Sequence, residues 1–336
     1  MEEIINMKKE NSTEKLLTGN IVSTMISLSL PAIIGMVVIG LYNFMDAVFV
    51  GQMVGPQAMT AVKVSYPFTL INSGISTLIG VGSASVLSRA IGKKDSETVD
   101  QIMGNLTGAI LLLSIIVTVL GLLFTKPLIS LSGATGETLD LAVTYMRIVF
   151  VGSLFVNFAQ SANMIMRGQG ILGKAMMIMG MGAVLNIILD PILINIMNSS
   201  GEGVKGAAYA TIISQIVQAV VTLVYFLTKS TIKIHNICIR KNIMKEVLSI
   251  GVSAMLMQVM QMVQQTLMYH VAQNCGGSQW QTILGAALSL QAFAFIPLWG
   301  ISQGFQPAIG TNYGAKNFQR VGQFTKAFFI GASFYI

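Results

Sequence analysis

Residues 102–125 read IMGNLTGAILLLSIIVTVLGLLFT, a run without a single charged side chain. An α-helix needs about 20 consecutive apolar residues to cross the ~30 Å hydrocarbon core of a bilayer. The run therefore predicts a transmembrane helix. Similar apolar runs lie on both sides of it, at residues 16–45, 64–88, 148–166, 175–196 and 206–228.

The second half of the chain continues this pattern. No charged residue occurs between Glu246 and Lys316, and this stretch is too long for one helix. The sequence Asn274-Cys275-Gly276-Gly277-Ser278 predicts a turn inside it, and a further span begins near Gly322. The chain is thus predicted to be an all-α polytopic membrane protein with about nine helices.

The composition supports this fold class. Charged residues make up 10% of the chain and apolar residues 53%, with a mean hydropathy of +0.71, whereas about a quarter of a soluble domain is charged. So few charges exclude soluble enzymes, nucleic-acid-binding modules and disordered scaffolds. The sequence carries no phosphate-binding loop and no metal or nucleophile motif. Cys238 and Cys275 lie in separate predicted loops, so neither a disulfide nor a cofactor is expected.

Lysine and arginine residues concentrate on one side of the predicted spans. With the N-terminus inside, sixteen of the 20 basic residues are cytoplasmic, whereas Lys63, Lys126 and Lys205 are outside and Arg147 lies near the outer end of span four. Cytoplasmic loops carry such an excess, so we predict a cytoplasmic N-terminus in the cell membrane. The net charge of +7 then reflects loop orientation. The leader contains Glu2, Glu3, Glu10 and Glu14 and lacks the pattern of a cleavable signal peptide.

The chain also contains an internal repeat. At an offset of 222 residues, Gly80-Val81-Gly82 aligns with Ser302-Gln303-Gly304, and Gly92-Lys93-Lys94-Asp95 aligns with Gly314-Ala315-Lys316-Asn317. Six spans separate the copies, so both enter the membrane from the same side, as in a parallel repeat about an axis along the membrane normal. We predict a first lobe at 1–229, a cytoplasmic linker at 230–245 and a partial second lobe at 246–336. Two complete units would hold twelve helices, so we expect a C-terminally truncated fragment that does not transport alone.

Two acidic residues lie inside predicted spans, Asp46 in span one and Asp190 in span five. An ionised Asp at the bilayer centre costs about 3 kcal/mol on insertion scales, so it should face a cavity or a partner. Both aspartates lie in the outer thirds of their spans, which predicts a shared site; the alternative is that each caps a helix end. Tyr42 precedes Asp46, and Asn186 precedes Asp190, by one turn, so each pair shares a helix face.

This predicted site suits either of two cations. In a low-dielectric cavity a carboxyl group can hold a proton near physiological pH, and the same oxygens, with amide and hydroxyl groups, are hard ligands for Na⁺. Pro191 directly follows Asp190 and cannot donate a backbone hydrogen bond, so we expect it, and Pro31 in span one, to loosen the helix. The sequence does not decide whether the site binds H⁺ or Na⁺.

Span seven carries a polar stripe. Gln258, Gln261 and Gln265 recur at i, i+3 and i+7, with Met257 and further methionines around them. Methionine suits a surface that accepts several ligand shapes, and lipid cannot satisfy glutamine side chains. We predict that the stripe faces a central substrate cleft; ordinary packing or lipid contact is the alternative for the methionines.

Several motifs resemble one known family. The segments LPA at 30–32, YNFMDAVFVG at 42–51, RGQG at 167–170 and NIILDP at 186–191 resemble the multidrug and toxic compound extrusion (MATE) transporters. The resemblance covers essentially the whole chain. It implies a two-lobe, twelve-helix, V-shaped antiporter that exports organic cations or other amphipathic drugs, antibiotics among them, in exchange for H⁺ or Na⁺.

The resemblance also implies the residues that couple the ion. They are Asp46, Asp190 and Asn186, possible Na⁺ ligands, with Tyr42 nearby and Asn163 and Thr211 as further members. Asn157 is the alternative to Asn163, because Asn163 lies one turn before the cytoplasmic Arg167. The expected partners are small drugs and the lipid bilayer, without nucleic acid, and the expected state is a monomer.

Two other functions remain open at this point. A lipid-linked saccharide flippase of a related fold would need several basic residues in its cleft, and Arg147 alone is near the membrane interior. A non-transporting remnant or structural membrane subunit is the other alternative.

Overall fold

A computed structural model describes residues 14–234 and 236–333. Long α-helices dominate these residues, with no β-strand among them. Residues 1–13, which include Lys8 and Lys9 of the cytoplasmic charge bias, lie outside the described residues, as do His235 and residues 334–336.

The long helices follow one another with short connections. In chain order they are α1 (Ile21–Met53), α2 (Pro56–Lys93), α3 (Ser96–Leu131), α4 (Gly136–Val151), α5 (Ser153–Gly168), α6 (Leu172–Asn198), α7 (Gly203–Thr228), α8 (Lys241–Gly314) and α9 (Phe318–Ser333). By length and composition, six of them can cross a membrane, and the pair α4–α5, bent by 58°, adds a seventh if the pair is counted as one span. The predicted polytopic helical fold is confirmed. The predicted ninth span corresponds to α9, which begins at Phe318, earlier than predicted.

The predicted turn inside the long uncharged stretch is also confirmed. α8 is broken at Gly276 and Gly277, and Gly277 has φ 68° and ψ −160°. A residue with a Cβ rarely adopts this conformation, so glycine permits the reversal there. We call residues 241–275 the first arm of α8 and residues 278–314 the second arm. Since α8 begins at Lys241, the last five residues of the predicted linker at 230–245 are helical.

Residues related by the 222-residue offset adopt the same unusual backbone. Lys94 after α2 has φ 60°, and Lys316 after α8 has φ 59°. Both are left-handed residues that end a helix, a conformation uncommon outside glycine. Gly55 before α2 and Gly277 before the second arm also both have positive φ. The repeat read from the sequence is therefore present in the geometry of the turns.

The two copies contact each other through α2 and the second arm of α8. At one end, the hydroxyl oxygens of Thr60 and Thr282, which are 222 residues apart, lie 2.5 Å from each other. At the other end, a methyl group on Gly92 would overlap the backbone of the second arm, and one on Gly314 would overlap the backbone of α2. Such reciprocal contacts define a two-fold axis. Because equivalent ends meet, the two helices run parallel, as the parallel repeat requires.

The outer surface is apolar, as lipid contact demands. α3 exposes Leu123 by 69% and Ile115 by 59%, whereas polar side chains such as Ser76 and Asn157 are buried between the helices. A soluble protein would bury most of these leucines and isoleucines. We call α1–α7 the first lobe, and α8 with α9 the second lobe.

Candidate cation site and substrate surface

Asp46 and Asp190 lie inside the bundle. Asp46 on α1 is 7% exposed and Asp190 on α6 is fully buried. α1 continues to Met53 and α6 to Asn198, so each carboxylate lies about two turns before the end of its helix. Neither aspartate caps a helix, and the alternative interpretation of these residues is excluded. Both helices also continue through their prolines, Pro31 and Pro191.

Asn186 connects Asp190 to the neighbouring helix. Its amide nitrogen donates to Asp190 Oδ1 at 3.3 Å and lies 3.5 Å from the hydroxyl oxygen of Thr211 on α7. The Thr211 hydroxyl in turn donates to the carbonyl oxygen of Ala207 at 3.1 Å. The structure thus brings together three of the residues that the sequence singled out.

α1 completes the site from the other side. Asp46 interacts electrostatically with Asp190, and Tyr42, one turn earlier on α1, interacts with both carboxylates. The two aspartates are therefore close enough to act on each other electrostatically. Their role in ion coupling stays a prediction.

Three oxygen atoms of this site are buried without a hydrogen-bond donor. They are Asp46 Oδ1, Asp190 Oδ2 and Asn186 Oδ1. Most buried polar atoms in proteins are hydrogen-bonded, and an unsatisfied one costs about 1–3 kcal/mol. All three orphaned atoms are acceptors, and two belong to carboxylates. This set of oxygens is thus rich in acceptors and poor in donors.

The structure does not place Asn163 at this site. Its amide nitrogen donates to the carbonyl oxygen of Ala175 at 2.6 Å. Ala175 lies fifteen residues before Asp190 on α6, which is about 22 Å along a helix. Asn163 therefore belongs to the junction of α5 and α6 near Arg167, at a different depth in the membrane.

Asn157, the alternative, belongs to a separate polar network. Its side-chain oxygen accepts from Ser76 at 3.0 Å, and its amide donates to Ser114 at 2.9 Å and to Asn72 at 3.4 Å. These contacts join α5 to α2 and α3. The amide is engaged there, so the described contacts link neither asparagine of α5 to the carboxylates.

Two residues that the sequence analysis missed do lie near the carboxylates. Tyr145 on α4 is buried and interacts electrostatically with Asp46, Asp190 and Tyr42. Lys63, taken from the sequence as an outer-loop residue, is inside α2 and interacts with Asp46. The sequence feature that could have placed Lys63 inside a helix was Pro56. Proline favours the first turn of a helix, and Pro56 begins α2 two turns before Lys63.

One glutamine of the predicted substrate surface lies against the first lobe. Gln258 is half-buried, with its Cβ close to Gly74 of α2. Gln261 is also half-buried, and Gln265 is buried with its Oε1 atom unpaired. Met257, in contrast, is 75% exposed, so the structure does not bring it into the same packed surface. A role in substrate binding stays a prediction for all four residues.

The helices that carry the aspartates also form an apolar groove. It has a volume of about 750 Å³ and is lined by α1 and α6, with Pro31, Gly35, Met177, Met181 and Ile188 among its walls. Ile188 lies two residues before Asp190, so any movement of α6 relative to α1 changes the groove and the carboxylate site together.

The fold and this site define a polytopic helical membrane protein with a buried carboxylate pair in its first lobe. A family profile described as MatE matches residues 31–192. The MATE multidrug transporter DinF-BH, solved with a bound ligand, is 34% identical with a TM-score of 0.88; the match covers 93% of this chain and 70% of that one. The chain therefore belongs to the MATE family.

Two other relatives also match this chain, but their described functions differ. A MOP superfamily transporter from Pyrococcus furiosus, whose pocket of reverse polarity suggests a different function, is 28% identical with a TM-score of 0.86, over 96% of this chain and 71% of that one. The multidrug export protein MepA of Staphylococcus aureus strain NCTC 8325 is 28% identical over 299 residues, 87% of this chain. This chain spans 64% of the length of MepA.

Proposed function

We propose that this protein exports organic cations or other amphipathic drugs from the cell in exchange for H⁺ or Na⁺. The observation that carries the proposal is the set of three buried acceptor oxygens on Asp46, Asp190 and Asn186, which have no donor. Relatives described as multidrug transporters and multidrug export proteins supply the class of cargo. In this proposal the protein is a monomeric carrier in the cell membrane with a cytoplasmic N-terminus, and it is not an enzyme.

The geometry suggests how cation binding would drive export. A cation bound between Asp46 and Asp190 neutralises the repulsion between two carboxylates and attracts α1 toward α6. The same helices line the apolar groove, so their approach reshapes a surface suited to the apolar part of a drug. Release of the cation to the inside restores the starting arrangement. A ligand shifts such an equilibrium by as much as its affinities for the two states differ.

The direct test is drug efflux from proteoliposomes. The assay uses a full-length protein that carries these residues. H⁺ and Na⁺ gradients are imposed separately, and the variants Asp46→Asn and Asp190→Asn are compared with Asp140→Asn, a substitution of an exposed acid on α4. We expect both site variants to lose gradient-driven efflux and Asp140→Asn to retain it. Efflux that persists in both site variants contradicts the proposal.

The same assay addresses the flippase alternative. A lipid-linked saccharide carries anionic phosphates and needs basic residues in the cleft, but Arg147, the candidate from the sequence, is exposed on α4. Transport of a fluorescent lipid-linked saccharide without dye efflux would favour the flippase. Absence of both activities would favour a non-transporting role.

A further inference from the structure

Lys63 connects the first lobe to the second. Its ammonium group donates to the Ser289 hydroxyl, on the second arm of α8, at 2.7 Å. No carboxylate lies within 4.0 Å of this ammonium in the part of the chain that the structure describes. The charged end of Lys63 thus crosses between the lobes to a neutral partner.

The second arm provides a shaped surface for this side chain. Thr282, Gly285 and Ser289 recur at i, i+3 and i+7, which places them on one face of the arm. A methyl group on Gly285 would lie 3.0 Å from both Cβ and Cγ of Lys63, so the absent side chain of Gly285 makes room for the lysine stem. Thr282 contacts Thr60, one turn before Lys63 on α2.

The contact with Ser289 leaves the charge of Lys63 poorly compensated. An ammonium group has three donors, and the described contacts provide one hydroxyl acceptor. Asp46 acts on this charge electrostatically. A lysine near the end of a spanning helix usually extends toward the headgroups; Lys63 instead reaches across the protein.

We propose that Lys63 is the internal counter-ion of Asp46, and that its ammonium group moves between Asp46 and Ser289 as the coupling cation leaves and enters. The inference rests on the proposed function, because it assumes that a cation binds at the carboxylates. A cation on Asp46 cancels the attraction of this carboxylate for the ammonium, which then binds Ser289 and strengthens the contact between the lobes. Loss of the cation returns the ammonium to Asp46 and weakens that contact.

Two effects follow for Lys63→Gln, which removes the charge and keeps a polar side chain. The coupling cation no longer competes with the positive charge of the lysine, so its half-effective concentration falls by about tenfold, the order of magnitude expected when one nearby charge is removed at an effective dielectric near 20. The contact between the lobes also stops responding to the cation.

The contact between the lobes can be measured by a disulfide. Thr60→Cys and Thr282→Cys are combined, in a background with Cys238→Ser and Cys275→Ser, because both native cysteines are exposed. With Lys63 present, we expect addition of the coupling cation to accelerate disulfide formation several-fold in proteoliposomes. In Lys63→Gln we expect one rate with and without the cation.

The second measurement needs no cysteine. Thermal stabilisation of the purified protein by the cation is titrated for Lys63→Gln, Lys63→Arg and Ser289→Ala, with Lys126→Gln, an exposed lysine of α3, as the matched control. Lys63→Arg and Lys126→Gln should keep the wild-type half-effective concentration. Ser289→Ala keeps the charge, so its half-effective concentration should stay within about twofold while its disulfide response is lost.

The outcomes separate this inference from the proposed function. If Asp46→Asn retains cation-dependent stabilisation, the proposed function is wrong. If Asp46→Asn loses it but Lys63→Gln matches the wild type in both measurements, the role of Lys63 is wrong and the proposed function stands. Lys63→Arg behaving like Lys63→Gln would also overturn the role, because the charge would then not be what matters.

Discussion

Replacing Asp190 with asparagine should weaken cation binding and stabilise the cation-free protein at the same time. Asp190 is fully buried, accepts one hydrogen bond from Asn186 at 3.3 Å, and has its Oδ2 atom unpaired. Asp46 also acts on it electrostatically. The substitution keeps the shape of the side chain and removes one of two interacting charges. A residue kept for ion binding is expected to show this conflict between function and stability.

The magnitudes follow from simple electrostatics. One charge about 4 Å from a bound cation contributes about 4 kcal/mol at an effective dielectric of 20, and about 1.4 kcal/mol corresponds to a tenfold change. We therefore expect cation affinity to fall by about 100- to 1000-fold. Burying a neutral amide costs less than burying an unpaired carboxylate, so the cation-free variant should gain about 1–2 kcal/mol, or a few degrees in Tm.

The assay is thermal unfolding in detergent, with H⁺ or Na⁺ titrated into wild type, Asp190→Asn and the control Asp140→Asn. The wild type should be stabilised by one of the two cations, and Asp190→Asn should start from a higher Tm and respond weakly. A variant with a lower cation-free Tm and an unchanged response would refute the reasoning, because Asp190 would then be a structural residue.

Three further predictions concern packing, the site and a helix end. Gly92→Val should lower Tm and the yield of folded protein, because its side chain meets the backbone of the second arm; Gly322→Val, in open space, should change stability by less than about 0.5 kcal/mol. Asn186→Ala should weaken cation binding by about tenfold, since it removes one site oxygen, whereas Asn163→Ala should leave the titration unchanged. Asp95 accepts hydrogen bonds from the hydroxyl and backbone of Thr98 at the start of α3, which hold its pKa below the usual value. The stabilisation that this helix cap gives to the fold is therefore present above the ordinary aspartate pKa and lost as pH falls through the lowered pKa. Asp95→Ala should lower the free energy of unfolding by about 1 kcal/mol at neutral pH, measured by thermal unfolding at a series of pH values.

Much of the fold was predictable because membrane insertion is governed by local composition. An apolar run such as residues 102–125 must be helical in lipid whatever its neighbours are, since the bilayer offers no other partner for backbone polar groups. The turn at Gly276 and Gly277 interrupts such a run, and the structure breaks α8 at the same residues. The repeat was also readable, because equivalent turns such as those at Lys94 and Lys316 recur with the same backbone angles.

The aspartates were predictable for the same reason. A carboxylate inside an apolar helix is costly, so Asp46 and Asp190 stood out without any knowledge of their neighbours. Asn163 was taken from the family resemblance, although its position one turn before Arg167 argued against it, and in the structure its amide donates to the carbonyl oxygen of Ala175.

The sequence by itself thus determined the helices, the repeat and the two acidic residues, since each depends on the free energy of placing one segment in lipid. Which groups surround those acids was decided by the tertiary structure alone. Tyr145 joins the site because α4 packs beside it, and Lys63 meets Ser289 because the repeat sets α2 against the second arm of α8. Contacts between helices depend on the depth of each helix in the membrane and on its rotation about its own axis. The sequence pattern specifies neither of these, and both are set when the helices pack.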